Sequence, residues 1–137
     1  MVGPMNPAVR LRTVNLDCAD AQAMARFYGG LLGWEPTFVE PDWVLMRDPA
    51  GGTGLSFQRT GVYQPPVWPE EPGNQQKMIH LELQVDSDGT GEGGQAALQE
   101  ALERALLLGG TLAEPQNRPD LRVVLDPSRH PLCLFLT

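Results

Sequence analysis

Two stretches of the chain, MRDPAGGTGLSF (residues 46–57) and VLDPSRHPLCLF (residues 124–135), share one pattern that decides the fold class. In each, an Asp-Pro turn leads into an alternating apolar run, which is typical of a strand buried on one face. A second match lies upstream of each, because LLGWEP (31–36) and LLGGTLAEP (107–115) both contain glycine at the end of a helical pattern. The matches predict two copies of one structural unit.

The first copy spans about residues 9–59 and predicts four strands and one helix. The helix begins after Asp20, whose carboxylate can accept hydrogen bonds from the free amides of the first turn, and ends at Gly33. Its buried stripe follows the helical period. The stripe consists of Met24, Phe27, Tyr28, Leu31 and Leu32, and the strands are predicted at 9–18, 35–40, 43–47 and 54–58.

The second copy spans about residues 77–137 and repeats this order after a Pro-rich connector, residues 60–76. A Gly-rich stretch, 86–94, separates its first strand from its helix. Strands are predicted near 79–85, 111–113, 121–125 and 132–136. The helix stripe is Leu98, Ala101, Leu102, Ala105 and Leu106. The fold class is therefore α+β, with two tandem βαβββ modules in a single domain, residues 1–137.

The composition excludes several classes of protein. Apolar residues make up 42% and charged residues 20%, which is typical of a globular chain. The net charge of −7 argues against nucleic-acid binding and is compatible with a cationic ligand. No apolar run is long enough to span a membrane, and MVGPMNPAVR (1–10) does not resemble a secretory signal. The two cysteines are not in a C-x-x-C pair, so we expect a reduced, cytoplasmic protein.

Three stretches resemble the vicinal oxygen chelate superfamily, which includes glyoxalase I, bleomycin-resistance proteins and extradiol dioxygenases. They are VNLDCADAQAMARFYGGLLGWEP (14–36), HLELQVD (80–86) and VVLDPSRHPLCLF (123–135), and they are most similar to its glyoxalase-like branch. The resemblance implies a cupped mixed sheet with the helices on its convex side and a cleft on its concave side. It does not specify the reaction, because the superfamily includes isomerases, dioxygenases, epoxide-opening enzymes and drug-sequestering proteins.

Strand alternation then predicts which side chains contact the helices and which line the cleft. A slip of one residue would exchange the two sets. The helix-facing set is Val14, Leu16, Leu55, Phe57, Leu81, Leu83, Leu132 and Leu134. The cleft-facing set is Thr13, Asn15, Asp17, Ser56, Gln58, His80, Glu82, Gln84, Cys133 and Phe135.

The connector contributes two aromatic side chains, Tyr63 and Trp68. On a stiff loop between two modules, they could cover the cleft and stack on a flat or cationic ligand. Trp68 could equally plug the seam between the modules, and the sequence leaves both alternatives open. His130 lies in a turn and is predicted to face water.

The resemblance implies four metal-ligand positions, which correspond here to Thr13, Ser56, His80 and Cys133. Only His80 is a conventional ligand for a transition metal, and the two hydroxyls are weak donors. We therefore expect no metal cofactor and no glyoxalase I activity, which depends on metal coordination of the substrate oxygens. A divalent ion, if one binds, would use His80 with Glu82, which share a strand face, with Asp17 across from Gln84.

Two functions follow from these residues. The first is a small-molecule-binding protein of the bleomycin-resistance kind. The alternative is a lyase, isomerase or ring-cleaving oxygenase in which Glu82, enclosed in the cleft, is the general base and His80 is its acid partner. Cys133 has no activating base nearby and is predicted to be a small buried thiol. A third option is an assembly module, and a twofold homodimer is the expected assembly.

Overall fold

A computed structural model of the chain describes residues 8–87 and 91–136, without the side chains of residues 91 and 92. The start of the lead-in (1–7), part of the Gly-rich stretch (88–90) and Thr137 lie outside the described residues. The first module consists of β1 (Thr13–Cys18), α1 (Ala21–Leu32), β2 (Pro36–Glu40), β3 (Trp43–Met46) and β4 (Gly54–Arg59). The second consists of β5 (Leu81–Gln84), α2 (Gly91–Leu107), β6 (Thr111–Leu112), β7 (Leu121–Leu125) and β8 (Pro131–Phe135).

The strands form two four-stranded sheets with the same topology, β1-β4-β3-β2 and β5-β8-β7-β6. Each sheet is mixed, because β1 pairs parallel with β4, and β5 with β8, while the other pairs are antiparallel. The predicted α+β fold of two tandem βαβββ modules is thus confirmed. Neither of the two helices in the described part of the chain is long and apolar enough to cross a bilayer.

The ends of α1 follow the capping signals in the sequence. Asp20 Oδ1 accepts hydrogen bonds from the amides of Gln22 at 3.0 Å and Ala23 at 3.1 Å. At the other end Gly33 has φ = 73°, a left-handed conformation that glycine adopts without steric cost, and its amide donates to the Gly29 carbonyl. These local interactions place α1 directly after β1.

Two strands begin at least two residues later than predicted. β1 begins at Thr13 rather than Val9, because Thr13 pairs with Gly54, the first residue of β4. Leu11, which precedes it, is 72% exposed. β5 begins at Leu81 rather than 79, and Ile79 is 55% exposed. An alternating apolar pattern does not extend a strand where no partner strand is available.

One hydrophobic core joins the two modules. Tyr28 on α1 stacks on Phe57 of its own sheet, with ring centroids 5.5 Å apart. The neighbouring Phe27 reaches the second module, since a Cβ placed on Gly110 would lie 2.9 Å from the Phe27 ring and 3.0 Å from Val124. The two modules are therefore packed through α1 as well as linked by the connector.

The Asp-Pro turns of the two modules have closely similar conformations. Asp48 Oδ1 accepts from the Ala50 amide at 2.8 Å, and Asp126 Oδ1 accepts from the Ser128 amide at 2.9 Å. Two residues after each proline the backbone becomes left-handed, with φ = 91° at Gly51 and φ = 71° at Arg129. In the second copy, an arginine therefore has a backbone conformation that glycine adopts more readily.

We expect Arg129→Gly to raise the free energy of unfolding by about 1 kcal/mol, because it removes the steric cost of a left-handed non-glycine residue. Urea denaturation monitored by circular dichroism measures this change. The reciprocal variant Gly51→Ala in the matching turn should lower the free energy of unfolding by a similar amount. Equal stability of wild type and Arg129→Gly would contradict the prediction.

Candidate functional site

Burial follows the predicted alternation in β1, β5 and β8, whereas in β4 the residues from Gly54 to Phe57 are all buried. All eight residues predicted to face the helices belong to the core or pack against it. The predicted site residues of β1, β4, β5 and β8 alternate with them and so lie on the opposite face of each sheet, called here the outer face. The paired positions Val14–Leu55 and Leu81–Leu132 show that the two sheets have equivalent registers. Thr13 and His80, each one residue earlier, are therefore equivalent positions.

On the outer face of the first sheet, the hydroxyl groups are already hydrogen bonded within the protein. Asn15 Nδ2 donates to Ser56 Oγ at 2.7 Å, and Ser56 is only 2% exposed. Arg47, which the sequence analysis did not single out, donates from Nη1 to Thr13 Oγ1 at 2.5 Å. Asp17 lies opposite Gln58 on the paired strand and is exposed. This half of the site is a polar surface with a guanidinium at one end.

On the outer face of the second sheet, Glu82 lies opposite Cys133 and Gln84 opposite Phe135. His80 Nε2 is 3.9 Å from Glu82 Oε2, and the two side chains are 38% and 60% exposed. The enclosure on which a role for Glu82 as general base depended is therefore not observed. Desolvation raises the pKa of the half-buried Cys133 thiol, as does the charge of Glu82, while Lys77 opposes the shift. The thiol is thus protonated at neutral pH.

Trp68 of the connector lies against the ammonium group of Lys77, the first residue after the connector. Lys77 Nζ lies 4.7 Å from the centroid of the Trp68 ring and 2.5 Å from Glu70 Oε1. The attraction combines the ring quadrupole with a carboxylate, and the Lys77 side chain is only 20% exposed. Tyr63 does not accompany Trp68, because its hydroxyl donates to the Ser128 carbonyl at 2.7 Å. Tyr63 therefore anchors the connector to the Asp126 turn at the seam between the modules.

The two halves of the predicted site are not linked by polar contacts. Among the described residues, no hydrogen bond or ion pair joins a site residue of the first sheet to one of the second. Within its own sheet, Asp17 lies opposite Gln58. Within residues 8–87 and 91–136, no three His, Cys, Asp or Glu side chains lie close enough together to hold a metal ion.

The four positions that the resemblance implies for metal ligands do not fit a metal. The Thr13 hydroxyl accepts from the Arg47 guanidinium, whose positive charge would repel a cation at that position. The Ser56 hydroxyl is buried against Asn15. His80 and a protonated Cys133 remain, and two donors are too few for a tight transition-metal site.

The sequence analysis missed a buried carboxylate at the seam. Asp126, 2% exposed, accepts from the Tyr28 hydroxyl at 2.7 Å and from the amides of Ser128 at 2.9 Å and His130 at 3.0 Å. Burial raises the pKa of Asp126, although these donors and the charge of His130 oppose the shift. Burial also raises the pKa of Tyr28 well above its ordinary value. The Asp-Pro turn was visible in the sequence, but its distant partner Tyr28 was not.

His130 was predicted to face water and is only partly exposed, because its ring is hydrogen bonded within the protein. Its Nε2 lies 2.6 Å from the Asp17 carbonyl, and because a carbonyl can only accept, Nε2 carries the proton. The Tyr63 hydroxyl is 3.1 Å from the same nitrogen. Ser128, in the same turn, accepts from the Ala19 amide at 3.2 Å. The Asp126 turn therefore holds the end of β1. The polar side chains of this turn are not freely hydrated, because they are hydrogen bonded within the protein.

The sequence over residues 13–135 matches the family model of the glyoxalase-like domain. The chain belongs to this family. The match includes both modules, so this glyoxalase-like domain covers almost the entire chain. A search of curated proteins found no similar sequence.

Solved structures show the same fold at low sequence identity. A glyoxalase-related enzyme from Fulvimarina pelagi aligns with a TM-score of 0.67 and 21% identity, over 93% of this chain and 88% of that one. A glyoxalase/bleomycin resistance protein/dioxygenase family enzyme from Burkholderia phytofirmans PsJN aligns with a TM-score of 0.66 and 18% identity, over 93% and 98%. A glyoxalase/bleomycin resistance protein from Albidiferax ferrireducens T118 aligns with a TM-score of 0.63 and 17% identity, over 92% of this chain and 97% of that one. At these identities the similarity establishes the fold alone.

Proposed function

We propose that this glyoxalase-like domain binds a small organic molecule on the outer faces of its sheets, without the full metal site implied by the resemblance. The main support is the Arg47–Thr13 hydrogen bond of 2.5 Å. It places the Arg47 guanidinium, a cation, at Thr13, which is the first of the four implied metal-ligand positions. With Ser56 held by Asn15 as well, the outer face offers hydrogen bonds and charge rather than coordination. This chemistry suits binding or sequestration.

The charges of the outer face favour a cationic or aromatic ligand. Asp17 and Glu82 are exposed, and the chain carries a net charge of −7. The contact between Lys77, Trp68 and Glu70 supports this choice, because an aromatic ring and a carboxylate there already hold an ammonium group. A ligand ammonium would meet the same two kinds of partner.

Calorimetric titration against a panel of aromatic and cationic metabolites tests the proposal. We expect one class to bind with a dissociation constant that is unchanged by a metal chelator. Asn15→Leu and Glu82→Gln should weaken that binding, whereas Glu103→Gln on exposed α2 is the matched control for charge and should not. No binding across the panel, or binding that requires added metal, would overturn the proposal.

A second candidate function is catalysis by His80 and Glu82, and the observation that favours it is their separation of 3.9 Å on one strand. We expect any turnover found with a bound ligand to fall in both His80→Ala and Glu82→Gln. A steady-state assay of each variant beside wild type is the measurement. Full activity in both would remove these residues from the mechanism.

We further propose that the protein is a cytoplasmic homodimer. β2 is the outermost strand of the first sheet and exposes Phe38 and Val39, which are 47% and 56% exposed. An exposed apolar edge strand favours association with a second copy. Light scattering coupled to size exclusion would give twice the chain mass; a monomer at micromolar concentration would contradict this assembly.

A further inference from the structure

The internal repeat duplicates the Asp-Pro turn but not the contacts that this turn makes across the seam. In the second module, Ser128 Oγ accepts from the Ala19 amide and His130 Nε2 donates to the Asp17 carbonyl. These two side chains close the seam at the end of β1. Counted from the aspartate, the residues of the first module at these positions are Ala50 and Gly52, which have neither a hydroxyl nor an imidazole. The first turn is one residue longer, so counted back from the strand the counterpart of His130 is Thr53, which also lacks an imidazole.

At the Asp48 turn the seam is open. A cavity of 260 Å³ lies between β1 and β4 of the first module and β5 of the second. Its walls are mainly apolar and come from both modules. They consist of Val14, Leu32, Trp34, Leu55, Leu81 and Leu83, with Asp48, Thr53 and Glu82 as the polar side chains.

The size and charge of this cavity define the ligand class. An apolar protein cavity of about 150 Å³ can hold benzene, so this larger space can accommodate an aromatic ring with a short side chain. Of the described residues that line it, none is basic, and its two charged groups are the carboxylates of Asp48 and Glu82. An apolar body with a positively charged end matches both features.

We propose that the open end of the seam is a binding site for a small arylalkyl ammonium ion, whose ring contacts the leucines and whose ammonium group pairs with Asp48 or Glu82. The site is distinct from the outer faces to which the proposed function refers, and only Glu82 belongs to both. In the first copy of the turn, Ala50 and the pair Gly52-Thr53 stand where the second copy has Ser128 and His130.

The repeat itself supplies the variant that closes the site. Gly52→His places an imidazole at the same distance in sequence from Asp48 as His130 has from Asp126, and a Cβ at Gly52 would meet only the flexible carboxylate end of Asp48 within 3 Å. The backbone of Gly52 does not have a positive φ, so histidine can be placed there without that strain. Gly61→His is the matched control, because a Cβ at Gly61 has nothing within 4 Å.

The experiment is a titration of the full chain with 2-phenylethylammonium, followed by methyl NMR of the leucines. We expect chemical-shift changes at Leu55 and Leu81, with Gly52→His weakening binding about tenfold or more and Gly61→His leaving it unchanged. 2-Phenylethanol should bind more weakly than the ammonium ion, and 3-phenylpropionate should bind least. If Gly52→His does not fold, Leu81→Phe fills the same cavity from β5 and should have the same effect.

Three results would overturn the inference: no shifts at the cavity leucines, wild-type affinity in a folded Gly52→His, or equal binding of the carboxylate and the ammonium ion. A ligand bound only on the outer faces would instead shift methyl signals of residues such as Leu45, which lies opposite Ser56, and its affinity would not change in Gly52→His. Such a result would contradict binding at the seam and would remain consistent with the proposed function. Unchanged binding in Asn15→Leu, together with shifts at Leu81 that are lost in Gly52→His, would do the reverse.

Discussion

Asp126→Ala is expected to lower the free energy of unfolding by about 3–5 kcal/mol, among the largest effects of any single substitution in this chain. The carboxylate accepts from the Tyr28 hydroxyl and from two backbone amides, and all are at the buried seam. Alanine leaves these donors without their acceptor, and each unsatisfied buried donor costs about 1–3 kcal/mol. Urea denaturation measures the change.

The repeat provides the control for this prediction. Asp48 is the counterpart of Asp126, and its carboxylate accepts one local amide hydrogen bond, from Ala50. Asp48→Ala should therefore lower the free energy of unfolding by only about 1 kcal/mol. If both variants lose the same stability, the seam network contributes no more than an ordinary turn.

The pH dependence of stability has a defined sign at Asp126. Its pKa in the folded protein is raised above the ordinary value of 3.8, first by desolvation. The folded state therefore binds the proton more tightly than the unfolded state does. The resulting contribution to stability is fully present below pH 3.8 and is lost as the pH rises through the folded-state pKa. In a comparison by urea denaturation, Asp126→Asn should show a smaller fall in stability than wild type across that window.

Phe27→Ala is expected to cost about 3–5 kcal/mol of stability as well. The ring is fully buried, stacks edge-on against Tyr28 at 4.9 Å and lies beside Gly110 and Val124 of the second module. Its removal leaves a cavity in the core that joins the two modules. We expect a single unfolding transition that moves to lower urea with its slope unchanged, because the modules share one core.

Phe38→Ala is the matched control, since Phe38 lies on the edge strand β2 and is 47% exposed. Its effect on the free energy of unfolding should be under about 1 kcal/mol. Similar losses of free energy of unfolding in the two variants would show that burial of Phe27 at the seam does not contribute to stability. A separate transition for each module in Phe27→Ala would show instead that the modules are stabilised independently.

Much of the architecture could be predicted from local sequence patterns. The cap at Asp20, the left-handed Gly33 and the two Asp-Pro turns depend on residues within a few positions of one another, so the sequence alone indicates them. The alternation of Leu16 and Leu83 with polar neighbours likewise predicted which strand face is buried. The true starts of β1 and β5 could not be predicted, because they depend on where the partner strand begins.

The candidate site was predicted less completely. Strand parity correctly placed Asn15 and Glu82 on the outer faces, but no pattern indicated that Arg47 would donate to Thr13. Glu82 was expected to be enclosed and is 60% exposed, because enclosure depends on what covers a strand and not on its alternation. Likewise, His130 was predicted to face water, and the Asp17 carbonyl that it contacts is 113 residues away.

The sequence by itself determined that the chain is a duplication of one βαβββ unit, because periodicity, caps and turns are local and repeat with the unit. Only the tertiary structure decided what the two copies do differently. Ser128 and His130 close one end of the seam, whereas a cavity lies at the other end, beside the Asp48 turn. The physical reason is that these contacts depend on how the two modules pack. Residues far apart in sequence come into contact only when the modules pack against each other.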